Sequence, residues 1–283
     1  MNIEPTGQVI FIGAGTGDPD LLTVKAMRYL QIADVILTDR LVSEDILANY
    51  ASPNARIIEV GKQCRRGVST PQESINELLI HYANQYKLVV RLKGGDVSIF
   101  SNILDELETL KSNNILYEII PGITAALGAA AYCGMPLTAR GYSTAVRLLT
   151  YYNTNLMLED SWKELANTDD TLVFYMSSVT IEPLVKKLLE YKISADKKIA
   201  VIEQATTPLQ QVYVAEIADC VSAWKDKEFI SPSLVVIGKV VALQEKFAWF
   251  NSANPNEEDY FKPLTAAIET MVHQTNNLKV GRA

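Results

Sequence analysis

VIFIGAGTGDPDLLTVKAMRYLQIADVILTD, residues 9–39, carries the pattern that decides the fold. VIFI is apolar at every position and stops at glycines, which suits a parallel strand buried on both faces. LLTVKAMRYLQIA (21–33) then places its apolar residues at helical spacing, and DVILTD (34–39) is a second short apolar run. Strand, helix and strand with short connections open an α/β sheet that carries helices on its faces.

The alternation continues outward from there. RIIEVG (56–61) reads as a strand, and PQESINELLIHYANQ (71–85) as a helix with Pro71 near its first turn and Glu73 early in it. KLVVRLKGGD (87–96) is a strand ending in glycines, IFSNILDELETLKSN (99–113) a helix, and LYEIIPG (116–122) closes this half. Past Pro121-Gly122, ITAALGAAAYCG (123–134) is a helix of small residues, suited to close backbone packing. VRLLTYY (146–152) and TLVFYM (171–176) are strand-like, with a short helix around Trp162 between them. IEPLVKKLLEY (181–191) is helical, KIAVIEQ (198–204) extended, QQVYVAEIADCVS (210–222) runs from strand into helix, and PSLVVIGKVVAL (232–243) is a last β run. The expected organisation is an N-terminal α/β domain over 7–119 and a C-terminal α/β domain over 123–245. Residues 246–283 form a peripheral tail in which LTAAIETMVHQ (264–274) is amphipathic.

Composition bounds the function. The 283 residues include 33 acidic and 26 basic side chains, a net charge of −7, with 48% apolar and 21% charged residues. That is ordinary globular usage, which excludes a disordered chain, and the acidic balance disfavours nucleic acid as a partner. Cys64, Cys133 and Cys220 form no CxxC pair, and the two histidines, His81 and His273, stand far apart. Neither a disulfide framework nor a metal site is expected. MNIEPTGQVIF lacks the basic start and apolar stretch of a signal peptide, and no apolar run approaches the roughly 18 residues that span a bilayer. A cytoplasmic protein with no membrane association is the expectation.

Three turns carry the chemistry. Gly13-Ala14-Gly15-Thr16-Gly17-Asp18-Pro19 follows the first strand, where α/β sheets bind small molecules and glycines allow close backbone approach. A dinucleotide fold is one reading, with Asp39 ending strand two, but the spacing is GxGxG and Pro19 delays the helix; a plain tight turn is another. Arg91-Leu92-Lys93-Gly94-Gly95-Asp96 ends a second strand, either as a polar-ligand turn or as a glycine turn capped by Asp96. Ile120-Pro121-Gly122-Ile123-Thr124-Ala125-Ala126 feeds the small-residue helix, as a domain junction or as a hydroxyl and amides facing a ligand.

Taken together, these blocks resemble the tetrapyrrole methylase family, most closely its uroporphyrinogen-III C-methyltransferase branch. The match runs over about residues 7–245 through VIFIGAGTGDPDLLTVKA, DVILTDRLVSEDIL, VGKQCRRGVSTPQESINELL, VVRLKGGDVSIF, IIPGITAALGAAAYCGMPLTAR, TLVFYM, EQATTPLQQ and SPSLVVIGKVV. The resemblance implies two α/β domains with S-adenosylmethionine in the cleft between them, a homodimer, and no metal. It puts cofactor positions on Thr16, Gly94, Gly95, Asp96, Ile99, Thr124, Ala125, Met176 and Ala205, and acid/base positions on Asp39 and Lys62. The implied product is precorrin-2, methylated at C2 and C7 of uroporphyrinogen III, with S-adenosylhomocysteine released. Arg40, Arg65, Arg66, Arg140 and Arg147 are candidates to hold the substrate's carboxylate arms.

The chain departs from the family pattern in places. Thr16 stands for the usual proline, Thr38 for a tyrosine, Ala139 for a histidine and Ala205 for a glycine, and Val97-Ser98 and Ser101-Asn102-Ile103-Leu104 replace the typical PFIFGRGGEE continuation. Methylation of another tetrapyrrole precursor, and a cofactor-binding scaffold without turnover, are the alternatives, with an NAD enzyme last.

Overall fold

The structure, a computed structural model, describes residues 7–60, 71–151, 157–252 and 260–261, and the backbone alone at 62–63 and 68–69. These residues divide into two compact units, one reaching to Thr124 and also taking in Phe261, the other running from Ala125 to Tyr260.

The first unit runs β1 (Gln8–Gly13), α1 (Val24–Ile32), β2 (Val35–Thr38), α2 (Glu44–Tyr50), β3 (Arg56–Glu59), β4 (Lys62–Gln63), β5 (Val68–Ser69), α3 (Gln72–Ala83), β6 (Leu88–Lys93), α4 (Leu104–Ser112) and β7 (Leu116–Ile120). The main sheet has the order β3-β2-β6-β1-β7 and its strands are parallel, while β4 and β5 form a separate antiparallel pair. The unbroken apolar runs follow from burial on both faces. Val9, Phe11, Val35, Leu37 and Val89 pack with Ile75 and Leu79 of α3 and Leu110 of α4. Their alternate neighbours Ile10, Ile12, Ile36, Val90 and Leu92 pack with Ala26 and Leu30 of α1 and Ile46 of α2. Each such side chain contributes about 2 kcal/mol by leaving water. Thr23 and Ser43 start α1 and α2 by accepting from Ala26 N at 3.3 Å and Asp45 N at 3.2 Å.

The second unit contains α5 (Ala125–Tyr132), β8 (Val146–Thr150), α6 (Glu159–Asn167), β9 (Thr171–Tyr175), α7 (Ile181–Glu190), β10 (Lys198–Glu203), β11 (Gln211–Glu216), α8 (Cys220–Ala223), β12 (Ser233–Gly238) and α9 (Gln244–Phe247). Its sheet has the order β11-β10-β12-β9-β8; β10 is antiparallel to β11 and β12, β12 is antiparallel to β9, and β8 is parallel to β9. One face packs on Trp162, Leu184, Val185 and Leu188. The other packs on Ala126, Ala129 and Ala130 of α5, whose short side chains let the helix backbone lie close to Val173, Ala200 and Val236. Burial pushes the Cys133 thiol up to about 12 and the Cys220 thiol up to about 11, so both are packing residues.

The mixed α/β fold, with a five-stranded sheet in each unit, is the expected one, and two local expectations are corrected. The helix expected from residue 99 starts at Leu104, because Phe100 and Asn102 hold left-handed backbone (φ 52° and 56°) that no α-helix admits. The β run expected to 243 stops at Gly238, and Lys239–Leu243 form a 3-10 turn whose Val240, Val241 and Leu243 are buried, so apolar content there reflects packing and not a strand. The C-terminal sheet is largely antiparallel, which runs buried on both faces do not reveal. Trp249 Nε1 donates to Ala131 O at 2.8 Å and Gln211 Nε2 to Ser252 Oγ at 3.2 Å, tying residues after α9 to the second unit. The expected amphipathic stretch 264–274 lies outside the described residues. No described helix is long and apolar enough to cross a membrane.

Candidate functional site

In the first unit the carboxyl ends of β1, β6 and β7 meet. Gly15 and Gly95 exchange backbone hydrogen bonds, Gly15 N to Gly95 O at 3.1 Å and Gly95 N to Gly15 O at 2.7 Å. A Cβ on Gly13 would lie 2.6 Å from Gly122 N and 2.7 Å from Gly95 O, and one on Gly94 would lie 2.8 Å from Leu41 O. The glycines at 13, 94, 95 and 122 are therefore used to bring backbones together. Asp96 fastens the same corner: Oδ2 accepts from Gly122 N at 2.9 Å, and Oδ1 accepts from Ser98 N at 2.8 Å and from Ser98 Oγ. At Gly15 (φ 77°), by contrast, a Cβ would make only ordinary contact, with Leu21 O at 3.7 Å, so the left-handed backbone and not a close approach calls for glycine there. Thr16 and Ile99 are half-buried beside these turns, and Thr124 is buried. The structure thus brings Thr16, Gly94, Gly95, Asp96, Ile99 and Thr124 to one rim of the parallel sheet.

Asp39 ends β2 on the same rim, and its backbone N–H donates to Leu92 O at 3.0 Å. Its Oδ1 accepts from Arg91 Nη2 at 2.6 Å. Arg91 also reaches Glu106 of α4 through Nε at 3.2 Å, and Lys93 Nζ lies 3.1 and 3.2 Å from the two Glu106 oxygens. Arg91, Lys93 and Glu106 are buried inside the α3/α4 side of the sheet. Burial works against the Arg91 charge, but Asp39 and Glu106 outweigh it and raise its pKa. Burial, and then the charge of Arg91, pull Lys93 below the ordinary lysine value despite Asp39 and Glu106.

In the second unit, Ala126 N at the start of α5 donates to Tyr175 Oη at 3.0 Å, which draws Ala125 towards the end of β9, where Met176 follows. Ala205 belongs to the same apolar cluster as Ala126 and Ala129. Met176 has φ 57° and is 53% exposed, and Ala205 lies between Gln204 (φ 48°) and Thr206 (φ 67°). Residues with side chains rarely take this backbone, and they collect at ligand sites when they do.

The arginines separate. Arg147 is already engaged, by Asp170 at 2.5 Å and Glu164 at 2.6 Å, and hydrogen bonding to Asp170 first and Glu164 second raises its pKa. Arg40 is half-buried after β2 and Arg140 is exposed. Lys62 opens β4, where only its backbone is described, and Arg65 and Arg66 lie outside the described residues. Reading of the sequence missed Arg91, Lys93 and Glu106 as a cluster. The signal was present: two cations two residues apart in the buried strand LVVRLK share a face and demand a buried carboxylate. Among the described residues no His, Cys, Asp or Glu cluster could hold a metal ion.

Residues 8–220 match the profile of the Tetrapyrrole (Corrin/Porphyrin) Methylases. The chain is 43% identical over 249 residues to a siroheme synthase of Saccharophagus degradans, covering 88% of this chain and 54% of that protein, so it spans about half the length of the curated relatives it matches. Among solved structures, uroporphyrin-III C-methyltransferase of Thermus thermophilus complexed with S-adenosyl homocysteine is similar at 33% identity and TM-score 0.70, covering 84% of this chain and all of that one (100%). The cobalamin biosynthetic enzyme cobalt precorrin-4 methyltransferase is similar at 27% identity and TM-score 0.74, covering 83% and 95%.

Proposed function

The chain belongs to the tetrapyrrole methylase family, and we propose that within it the chain methylates uroporphyrinogen III at C2 and C7 to give precorrin-2, using S-adenosylmethionine. The observation that carries this reading is the shared rim: three interlocked turns and a carboxylate, Asp39, held at the end of the adjacent strand. Likeness to the Thermus enzyme and to siroheme synthases supports the choice of substrate.

The residues present fit the cofactor. Gly94 and Gly95 keep backbone amides uncovered by side chains, and Thr16 and Thr124 supply hydroxyls on the same rim. Asp96 and Ile99 belong to the same turn, and Ala125, Met176 and Ala205 enter the proposed set by the family resemblance alone. Bound there, the sulfonium supplies an already activated methyl group, so the protein's task is alignment and exclusion of water more than strong acid/base chemistry. Asp39 stabilises the positive charge that develops on the macrocycle and takes up the proton it sheds. Lys62 is the acid/base partner in this reading. Arg40, Arg65, Arg66 and Arg140 hold carboxylate arms; Arg147 is left out, because two carboxylates of its own unit already occupy it. A homodimer belongs to the same reading, and light scattering of the purified protein tests it.

Incubating the protein with S-adenosylmethionine and uroporphyrinogen III tests the activity. Precorrin-2 absorbance is expected, and absence of methylated product at every enzyme concentration overturns it. Asp39→Ala is expected to lower turnover about 100-fold while leaving S-adenosylhomocysteine affinity within about threefold; equal losses in both contradict its role. Similarity to cobalt precorrin-4 methyltransferase favours a second reading, methylation of another tetrapyrrole, which mass spectrometry over a panel of precursors separates.

A further inference from the structure

We propose that Arg91, itself held by Glu106, is a positioning residue that fixes the Asp39 carboxylate for reaction, so that β6 aims the acid/base group as well as carrying the cofactor turn. This rests on the role given to Asp39 above.

The geometry is that of a clamp. The Arg91 guanidinium is bound on every side: Nε to Glu106 Oε1 at 3.2 Å, Nη1 to Leu92 O at 3.3 Å and Leu37 O at 3.4 Å, and Nη2 to Asp39 Oδ1 at 2.6 Å. A planar fork held by three other acceptors leaves its fourth direction little freedom, and Asp39 lies along it. Leu92 O accepts both the Asp39 N–H and Arg91 Nη1, so backbone and side chain of Asp39 are pinned to one point of β6. Glu106 is braced in turn by Lys93 and by Gln72 Nε2 at 3.4 Å.

Stability alone is a poor reason for this arrangement. Burying ion pairs sacrifices hydration, and apolar residues of similar volume commonly serve a core as well or better. The exposure pattern points elsewhere. The Arg91, Lys93 and Glu106 side chains are 2%, 5% and 0% exposed, whereas that of Asp39 is 25% exposed. The cluster is sealed except where it ends in the reacting carboxylate. Lys93 supplies the second positive charge, so that Glu106 can hold Arg91 while Arg91 holds Asp39 without leaving a net buried charge.

A double-mutant cycle on the full chain tests this. Arg91→Lys keeps the charge but has no fork with which to bridge Glu106 and Asp39. It is expected to lower kcat about 30-fold with uroporphyrinogen III, with KM and the Kd for S-adenosylhomocysteine within about threefold. In an Asp39→Asn background the same change is expected to cost less than about twofold, because Arg91 acts through Asp39. Equal losses in both backgrounds, or Kd rising in step with the fall in kcat, overturn the proposal. If Asp39→Asn turns over like the parent, the role of Asp39 fails and the positioning role falls with it. If Asp39→Asn is slow but Arg91→Lys is silent, the positioning role alone fails. Should Arg91→Lys not fold, Glu106→Gln, nearly identical in shape, is read against the same outcomes.

Discussion

The two units shape the loops after their strands by different means. In the first, glycines at 13, 94 and 122 let backbone pack on backbone where three turns meet, and the Asp96 carboxylate fastens them. In the second, Met176 after β9 and Gln204 and Thr206 after β10 hold left-handed backbone while keeping full side chains. That conformation costs on the order of 1 kcal/mol for each L-residue. The surroundings hold it in place: Gln204 N donates to Pro232 O at 2.8 Å, Thr206 N to Gln210 Oε1 at 2.8 Å, and Tyr260 N to Gln204 Oε1 at 2.7 Å. Charge follows the same divide. The buried ions of the first unit neutralise one another, whereas Glu203 at the end of β10 is buried with only one oxygen satisfied, by Ile230 N at 2.7 Å. Where the three turns meet, the first unit relies on close glycine contacts; after β9 and β10, the second holds left-handed backbone in place with hydrogen bonds.

The contrast can be broken at its strongest point first. Gly122→Ala would press a methyl group to 2.5 Å from Gly13 O, against backbone that has nowhere to go. A loss of about 3 kcal/mol or more is expected in denaturant titration; a change under about 1 kcal/mol would show that the turns are looser than described. Next comes Glu203. Burial raises its pKa, so the folded chain holds the proton more tightly than the unfolded chain does. Its contribution to stability is fully present below the ordinary carboxyl value and is lost as pH climbs through the raised one. Glu203→Gln should flatten that slope, by a difference on the order of 1 kcal/mol between acid and mildly alkaline pH. Parallel melting-temperature profiles for the two proteins would contradict it. The smallest effect is expected at Met176→Gly. Relief of the left-handed backbone should outweigh the added chain entropy by about 0.5 kcal/mol in stability. Calorimetry should nevertheless show weaker S-adenosylhomocysteine binding, and unchanged affinity would mean that only the Met176 backbone matters.

The same divide explains what was legible in the sequence. Glycines announce themselves, so the turns at Gly13, Gly94-Gly95 and Gly122 could be found and their elements placed. Left-handed backbone at Phe100, Met176 or Thr206 has no letter of its own, which is why the helix start was set five residues early and why Met176 and Ala205 came only with the family resemblance. Parallel and antiparallel order in the second sheet stayed hidden because TLVF, IAVI and LVVI are buried on both faces in either case. The Arg91–Glu106 pair lay 15 residues apart, and joining it required the strand to face α4, a fact of tertiary packing.

The paired hydrogen bonds between Gly15 and Gly95 also set the grammar for editing this chain. Two turns that exchange bonds in both directions must agree in length, residue for residue, and Asp96 extends that agreement to the turn at Gly122. An added or deleted residue in any of the three puts the other two out of step. Redesign for a larger or smaller substrate by changing loop length therefore has to begin beyond Ile99, the last residue that Asp96 ties down, leaving the three turns as a fixed cassette transferable only as a whole.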